Sequence, residues 1–257
     1  MKPLGAFLLL SLSACAGGGL GIGPRPSSAN SHPGFDTARF PGEAALRSWR
    51  ITSPYEWVGY YLPAPCHRDS SWVGTRALIQ RVGWGTAVIY AGQQAFEPQP
   101  GDTLPPTGPI VCSRSLLTPE RGRADGQDAI ARAAAEGFPA GTTIFLDVEP
   151  VNTVPDSLLA YYRAWTETLL RDGRYLPGTY VHQANAVALY DVARSAYQAA
   201  GRSEQPPFWV AGGRGFSLQQ PPWAIGLPFV TLWQGVTNVD RTWGGVTLRI
   251  DENVATR

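Results

Sequence analysis

The chain has 257 residues, enough for one large domain, and its 44% hydrophobic and 16% charged residues exclude disorder over most of its length. Its 21 basic residues nearly balance its 20 acidic ones, and without a basic excess a nucleic-acid partner is not expected. The 9 Trp, 10 Tyr and 9 Phe residues fit a large core, and aromatic side chains also stack on sugars.

The N-terminal residues have the pattern of a targeting signal. A positive start at Lys2 precedes an apolar run over residues 4–12, which is too short to span a bilayer. The run ends in Leu-Ser-Ala-Cys at 12–15, which resembles the lipobox of bacterial lipoproteins. That resemblance implies a signal peptide over residues 1–14 and a lipid on Cys15. The alternative is an ordinary secretory signal cut near residue 14 or 16.

Residues 15–32 are rich in Gly, Pro and Ser and predict a tether, which leaves 33–257 as the folded domain. Three cysteines are an odd number for an exported protein. If Cys15 carries a lipid, Cys66 and Cys112 remain as a pair, and export permits a disulfide between them. Two separate buried thiols are the alternative.

Short apolar runs alternate with helical patterns along the domain. Strands are predicted at 34–37, 57–61, 87–91, 142–148, 178–181, 208–211, 229–233 and 246–251, and helices at 43–49, 71–82, 126–137, 157–172 and 184–200. Eight strands with interposed helices favour an α/β fold of the (β/α)8 barrel type, irregular in its last two units, which lack a long helical pattern. An open doubly wound sheet is the alternative, but no glycine-rich phosphate loop follows the first strand.

Acidic residues fall where the predicted strands end. Asp147 and Glu149 are two residues apart, so they point to one face with their α-carbons about 6.5–7 Å apart. Asp36 and Asp251 end strands one and eight, which are neighbours in a closed barrel. Since active sites lie at the carboxyl ends of barrel strands, four carboxyls are expected at one mouth. Paired carboxyls with separated pKa values are what glycoside hydrolysis requires.

Other uses of these residues remain open at this point. An isolated Asp-x-Glu can cap a helix or bind an arginine, and clustered carboxylates can bind a divalent metal. The three histidines lie far apart and form no zinc motif, so no metal and no cofactor is predicted. His182 is kept as a candidate because it follows strand five. The sequence contains no Gly-x-Ser-x-Gly motif, so a serine hydrolase is not expected.

Several motifs together resemble a known family. They are Gly-Phe-Asp-Thr at 34–37, Tyr-Ala-Gly-Gln-Gln at 90–94, Phe-Leu-Asp-Val-Glu at 145–149, Leu-Trp-Gln at 232–234 and Ile-Asp-Glu-Asn at 250–253. Their order resembles the barrel-type lysozymes of glycoside hydrolase family 25 and, more closely, the glycoside hydrolase-like domain family known as domain of unknown function 1906. The likeness covers nearly the whole domain, although Phe40-Pro41 replaces the Trp-containing turn of the lysozymes.

This resemblance implies a role for each matching residue. Glu149 would be the general acid, and Asp147 would orient the substrate or stabilise positive charge on the sugar. The remaining candidates would line the floor or bind the sugar: Asp36, Asp251, Tyr90, Gln93, Tyr180, His182 and Gln234, with Trp233 either stacking on a sugar face or packing in the core.

Two functions therefore follow as hypotheses. The first is a lipid-anchored glycoside hydrolase acting on peptidoglycan or another envelope polysaccharide. The second is a lipoprotein that binds glycan in the same cleft without catalysis. The proline-rich loop after strand three, between residues 92 and 125, is expected to form a wall of that cleft, fixed by the Cys66–Cys112 disulfide.

Overall fold

A computed structural model describes residues 31–95 and 112–256, which form a closed eight-stranded barrel. The strands are β1 His32–Asp36, β2 Trp57–Tyr61, β3 Gly85–Tyr90, β4 Thr143–Val148, β5 Leu176–His182, β6 Phe208–Ala211, β7 Leu232–Trp243 and β8 Val246–Ala255. Strands β1 to β7 pair in parallel with their sequence neighbours, and β8 closes the barrel against β1. The predicted barrel architecture is confirmed.

Five helices surround the barrel: α1 Glu43–Thr52, α2 Arg76–Val82, α3 Pro119–Ala135, α4 Asp156–Asp172 and α5 Gln183–Ala199. Helix α3 begins seven residues before the predicted start, capped by the Thr118 hydroxyl, which accepts from the Arg121 amide. Two glycines within it, Gly122 and Gly126, weaken the helical pattern. Both let α3 approach α4 closely, since a β-carbon at Gly122 would meet the carbonyl oxygen of Tyr161 at 2.3 Å.

The last two strands depart from barrel regularity more than expected. They form an antiparallel hairpin around Gly244 and Gly245, and β8 is also antiparallel to β1. The predicted seventh and eighth strands were therefore too short, and the prediction that strand eight ends at Asp251 is wrong. Because β8 enters the barrel from the mouth, Asp251 in mid-strand pairs with Asp36 and still lies at the mouth.

The barrel interior is apolar below the mouth. Trp209 of β6 is fully buried, and its ring makes edge contacts with Trp57, Phe145 and Tyr180 at centroid distances of 5.4–5.6 Å. A second, larger core lies between the strands and the helices. The Trp209 indole therefore separates an apolar lower barrel from the polar residues above it.

The disulfide between Cys66 and Cys112 is present, which confirms that prediction. It joins the loop after β2 to the residues that lead into α3, and its α-carbons are 4.9 Å apart. The predicted signal peptide, Cys15, most of the tether and much of the proline-rich loop lie outside the described residues. Within the described ranges, no helix is both long enough and apolar enough to cross a membrane.

Candidate active site

The floor of the mouth is built around Asp36, the last residue of β1. Its carboxyl accepts hydrogen bonds from the Tyr61 hydroxyl at 2.7 Å, the Gln234 amide at 2.9 Å and the Asn253 amide at 2.8 Å. Asp36 is only 3% exposed. Burial, and then the charge of Asp251, raise its pKa to about 6, against the lowering effect of these three donors.

The two floor amides have orientations fixed by their other partners. The Trp209 indole can only donate, and it does so to Oδ1 of Asn253 at 2.9 Å, so Nδ2 must face Asp36. Oε1 of Gln234 accepts from the Tyr180 hydroxyl at 2.6 Å, and its Nε2 also reaches Oδ2 of Asp251 at 3.2 Å. The floor is thus a continuous, satisfied polar network resting on Trp209.

The carboxyls of Asp147 and Glu149 lie on the opposite side of the mouth, at the end of β4. Among the described residues, Oδ1 of Asp147 is buried without a hydrogen-bond partner. Burial, followed by the charges of Glu149 and Asp36, raises the pKa of Asp147 well above its usual range. Glu149 is exposed at the rim, where partial loss of water and the charge of Asp251 raise its pKa as well. Both groups therefore tend to keep a proton.

Gln94 fixes the backbone that carries these two carboxyls. Its buried side chain donates from Nε2 to the Asp147 carbonyl at 2.8 Å and accepts at Oε1 from the Glu149 amide at 2.9 Å. The amide group thus replaces a strand partner where β4 ends. Gln94 lies in the Tyr-Ala-Gly-Gln-Gln motif, but the sequence did not predict its hydrogen bonds to this backbone.

Gln93 is buried and has a different task. Its Oε1 accepts from the Ser113 amide at 2.8 Å, next to the disulfide at Cys112, and its backbone amide donates to the Tyr161 hydroxyl. These contacts hold the start of the segment that leads to α3. They do not place the Gln93 side chain among the carboxyls.

Two predicted sugar-binding residues face away from the mouth. Tyr90 is fully buried, and its hydroxyl donates to Asp128 on α3 at 2.9 Å. Trp233 is also fully buried, with its indole donating to the Gly212 carbonyl at 2.7 Å. Since side chains alternate along a strand, Trp233 must point outward when its neighbour Gln234 points inward. The structure therefore places both residues in the outer core. This differs from the expected sugar contact of Tyr90, and for Trp233 it is one of the two roles that the sequence left open.

His182 ends β5 at the rim of the mouth. Its Nδ1 accepts from the Ala184 amide at 3.2 Å and so caps the start of α5. The predicted carboxyls, Tyr180 and Gln234 are therefore brought together by five strands, β1, β4, β5, β7 and β8, and His182 lies at their edge. Within the described ranges, no group of three or more His, Cys, Asp or Glu side chains is arranged to hold a metal ion.

A cavity of about 720 Å³ opens at the opposite pole of the barrel. Its walls include Trp57, Phe138 and Phe145, and the Glu56 carboxylate lies 2.7 Å from Nδ1 of His32. Residues at this end of a barrel serve stability more often than catalysis. The mouth is therefore the candidate active site.

Three solved structures show the same fold. An uncharacterized B. stearothermophilus protein is 22% identical, with 88% of this chain and 96% of that one covered and a TM-score of 0.58. The modular autolysin LytC of Streptococcus pneumoniae, also solved with a synthetic peptidoglycan ligand, is 13% identical. There the match covers 87% of this chain but only 46% of LytC, with a TM-score of 0.56.

The Tat-secreted protein Rv2525c of Mycobacterium tuberculosis is 16% identical, with 90% of this chain and 96% of that chain covered and a TM-score of 0.51. None of the curated proteins is significantly similar in sequence. A family model described as "Rv2525c-like, glycoside hydrolase-like domain" matches residues 47–255, which are most of the chain. The chain belongs to this family of Rv2525c-like, glycoside hydrolase-like domains.

Proposed function

We propose that the protein is a lipid-anchored glycoside hydrolase, and that its substrate is a cell-wall or envelope polysaccharide. The observation that carries the proposal is the pair Asp147 and Glu149, two carboxyls with raised pKa values beside a polar floor. Protonated carboxyls of this kind supply the general acid in glycoside hydrolysis. The peptidoglycan complex of LytC, a protein of the same fold, supports a polysaccharide substrate.

In this mechanism Glu149 protonates the leaving oxygen as the glycosidic bond breaks, because it is exposed at the rim where a polymer can reach it. The Glu149 carboxylate then accepts a proton from the water that adds to the sugar carbon. Asp147 lies deeper, and its raised pKa favours its neutral form in the free protein. A neutral carboxyl can donate a hydrogen bond, so Asp147 orients the substrate. Tyr180 and Gln234 supply hydrogen bonds from the floor, and His182 contributes at the edge.

The general acid is tested with the full chain solubilised in mild detergent. The assay measures new reducing ends released from purified peptidoglycan and from a panel of polysaccharides. Glu149→Gln should lower the rate about 10²- to 10⁴-fold, the usual effect of losing a general acid. The control, Glu120→Gln, alters an exposed carboxyl on α3 and should leave the rate unchanged. Equal rates for Glu149→Gln and wild type would remove Glu149 from the mechanism.

A second function, glycan binding without turnover, is favoured by one feature of the floor. Asp36 is satisfied by three donors, an arrangement that suits a fixed binding surface as well as a reacting group. Saturable binding of glycan by both wild type and Glu149→Gln, with no reducing ends from either, would establish this function.

The lipid anchor on Cys15 is a separate proposal. Its support is the disulfide, which pairs two of the three cysteines and leaves Cys15 as the remaining thiol, and which suits an oxidising compartment. In cells fed a labelled fatty acid, the wild-type chain should carry the label and fractionate with membranes. Cys15→Ser should be unlabelled and released, and a labelled Cys15→Ser protein would contradict the proposal.

A further inference from the structure

A pocket of about 310 Å³ adjoins the floor carboxyls on the side of the β7–β8 hairpin. We call it the arginine pocket. Its inner wall is Asp36, Tyr61 and Asp251, and its outer wall comes from two segments, the residues after β1 and the hairpin. The outer wall consists of Thr37, Ala38, Arg39, Asn238, Arg249 and Ile250.

The pocket is created by an irregularity in β7. The pairing of β7 with β8 shifts register between Gln234 and Val236 and again between Val236 and Val239. Asn238 lies within the second shift and has a φ of 54°. It is the one non-glycine residue with positive φ in the described part of the chain. Its backbone amide donates to Oδ1 of Asp251 at 2.6 Å. Bulges of this kind bend a strand and re-aim its groups beside active sites.

The charges on the two walls are opposite. Arg39 and Arg249 face the pocket from outside, with side chains 85% and 64% exposed. Each forms an ion pair with an aspartate, Arg39 with Asp69 at 3.2 Å and Arg249 with Asp240 at 3.7 Å. Exposed pairs of this kind are weak, and a guanidinium carries five N–H donors. Both side chains therefore retain donors for an incoming anion.

The carboxyls of the mouth, including Asp36 and Asp251 on the inner wall of the pocket, would repel an anion, so an anion would bind at the outer wall. Asp147 and Glu149 lie across the floor from the pocket, and both are acidic. Arg39 and Arg249, which line the pocket, can hold a negatively charged substituent on a sugar. Such a contact would also fix which sugar unit sits beside Glu149.

The geometry points to the arginine pocket as a subsite for an oxyanion carried by the glycan, a carboxylate or a phosphate, bound by Arg39 and Arg249. This inference rests on the proposed function, because it assigns the substrate class of the same mouth. It makes the enzyme selective for acidic glycans over neutral ones. Arg39 and Arg249 are then specificity residues that touch the substrate away from the reacting bond.

The test measures binding, in calorimetric titrations of the full chain in detergent. Every protein carries Glu149→Gln so that substrate is not consumed. The first two probes are soluble peptidoglycan fragments with free carboxylates and the same fragments after amidation with methylamine. A third probe, amidated fragments that retain glycan-linked phosphate, distinguishes the two sources of the oxyanion. The variant is Arg39→Gln/Arg249→Gln, and its control is Arg47→Gln, an exposed arginine on α1 paired with Glu43.

We expect the parent protein and the Arg47→Gln control to bind the acidic fragments about tenfold to hundredfold more tightly than the neutral ones. The double variant should bind both alike. Equal binding by the parent, or a preference that survives in the double variant, overturns the subsite. Charge selectivity in a protein that releases no reducing ends would uphold the subsite while the hydrolase proposal fails. Hydrolysis without charge selectivity would do the reverse.

Discussion

The two sides of the barrel mouth hold their carboxyls in different ways. On the tied side, Asp36 and Asp251 accept hydrogen bonds from Tyr61, Gln234, Asn253 and the Asn238 backbone. On the open side, Oδ1 of Asp147 lacks a partner among the described residues, and only the backbone around it is fixed. The tied side is therefore built to hold shape, whereas the open side leaves its carboxyls available to a substrate.

Removing the central carboxyl of the tied side should have the largest effect. Asp36→Ala removes the acceptor of the Tyr61 hydroxyl and one of the two acceptors of each amide, Gln234 and Asn253. Buried groups left unpaired should lower the free energy of unfolding by about 2–4 kcal/mol. Urea unfolding at pH 5 measures the loss, since the Asp36 pKa of about 6 keeps it largely neutral there. Asp147→Ala, the matched change on the open side, should cost under about 1 kcal/mol, and equal losses would refute the comparison.

The position of the two carboxyls on the open side depends on the hydrogen bonds that the Gln94 side chain makes to their backbone. Gln94→Leu keeps a buried side chain of similar size but frees the Asp147 carbonyl and the Glu149 amide. We expect kcat to fall about 10- to 100-fold, because displacement of reacting groups by about 1 Å has costs of that order, with little change in KM. Gln93→Leu is the control, since it should reduce stability more than kcat. Equal reductions of kcat by both variants would show that Gln94 has no specific positioning role.

The raised pKa of Asp147 also predicts how stability depends on pH. A carboxyl whose pKa is raised by folding binds its proton more tightly in the folded state. Its contribution to stability is complete below the unfolded pKa near 4 and is lost as pH rises through the folded value. Asp147→Asn should therefore match wild type at pH 4 and exceed it at pH 7, by on the order of 1–3 kcal/mol. Parallel profiles of unfolding free energy from pH 4 to 8 would contradict this.

The smallest effect is expected for Tyr90. The sequence suggested that it contacts the sugar, but the structure places it away from the mouth. Tyr90→Phe removes the hydrogen bond to Asp128 in the outer core and should cost about 1 kcal/mol in stability with kcat/KM unchanged. Tyr180→Phe removes a hydroxyl within the floor and should lower kcat/KM about tenfold. A kinetic defect in Tyr90→Phe that exceeds that of Tyr180→Phe would restore Tyr90 to the site.

The parallel strands and the four carboxyls were predictable because both depend on local pattern. Buried strands are continuous apolar runs, and chemistry follows where they end. The inward or outward direction of each side chain was also available, since Trp233 and Gln234 are adjacent and cannot both face the mouth. The Leu-Trp-Gln motif contains both residues, and assigning sugar-binding roles to the whole motif overlooked that alternation.

The β7–β8 hairpin and the hydrogen bonds from Gln94 to the β4 backbone were harder to predict. Gly244 and Gly245 are a recognisable two-residue hairpin turn, but the bulge around Asn238 breaks the alternating pattern that would have extended β7. Gln94 contacts β4 across more than 50 residues of sequence, so only the folded structure shows what it holds. Long-range hydrogen bonds from a side chain to a backbone leave no local pattern.

The antiparallel direction of β8 determines how the molecule can be presented on a surface. His32 pairs with Ala255, so the described chain enters and leaves the barrel at the same pole, opposite the mouth. In a barrel of eight parallel strands, the last strand would instead end beside the active site. Here a support or fusion partner joined ahead of Ser31 or after Thr256 meets the far pole. The mouth is left facing away from that attachment.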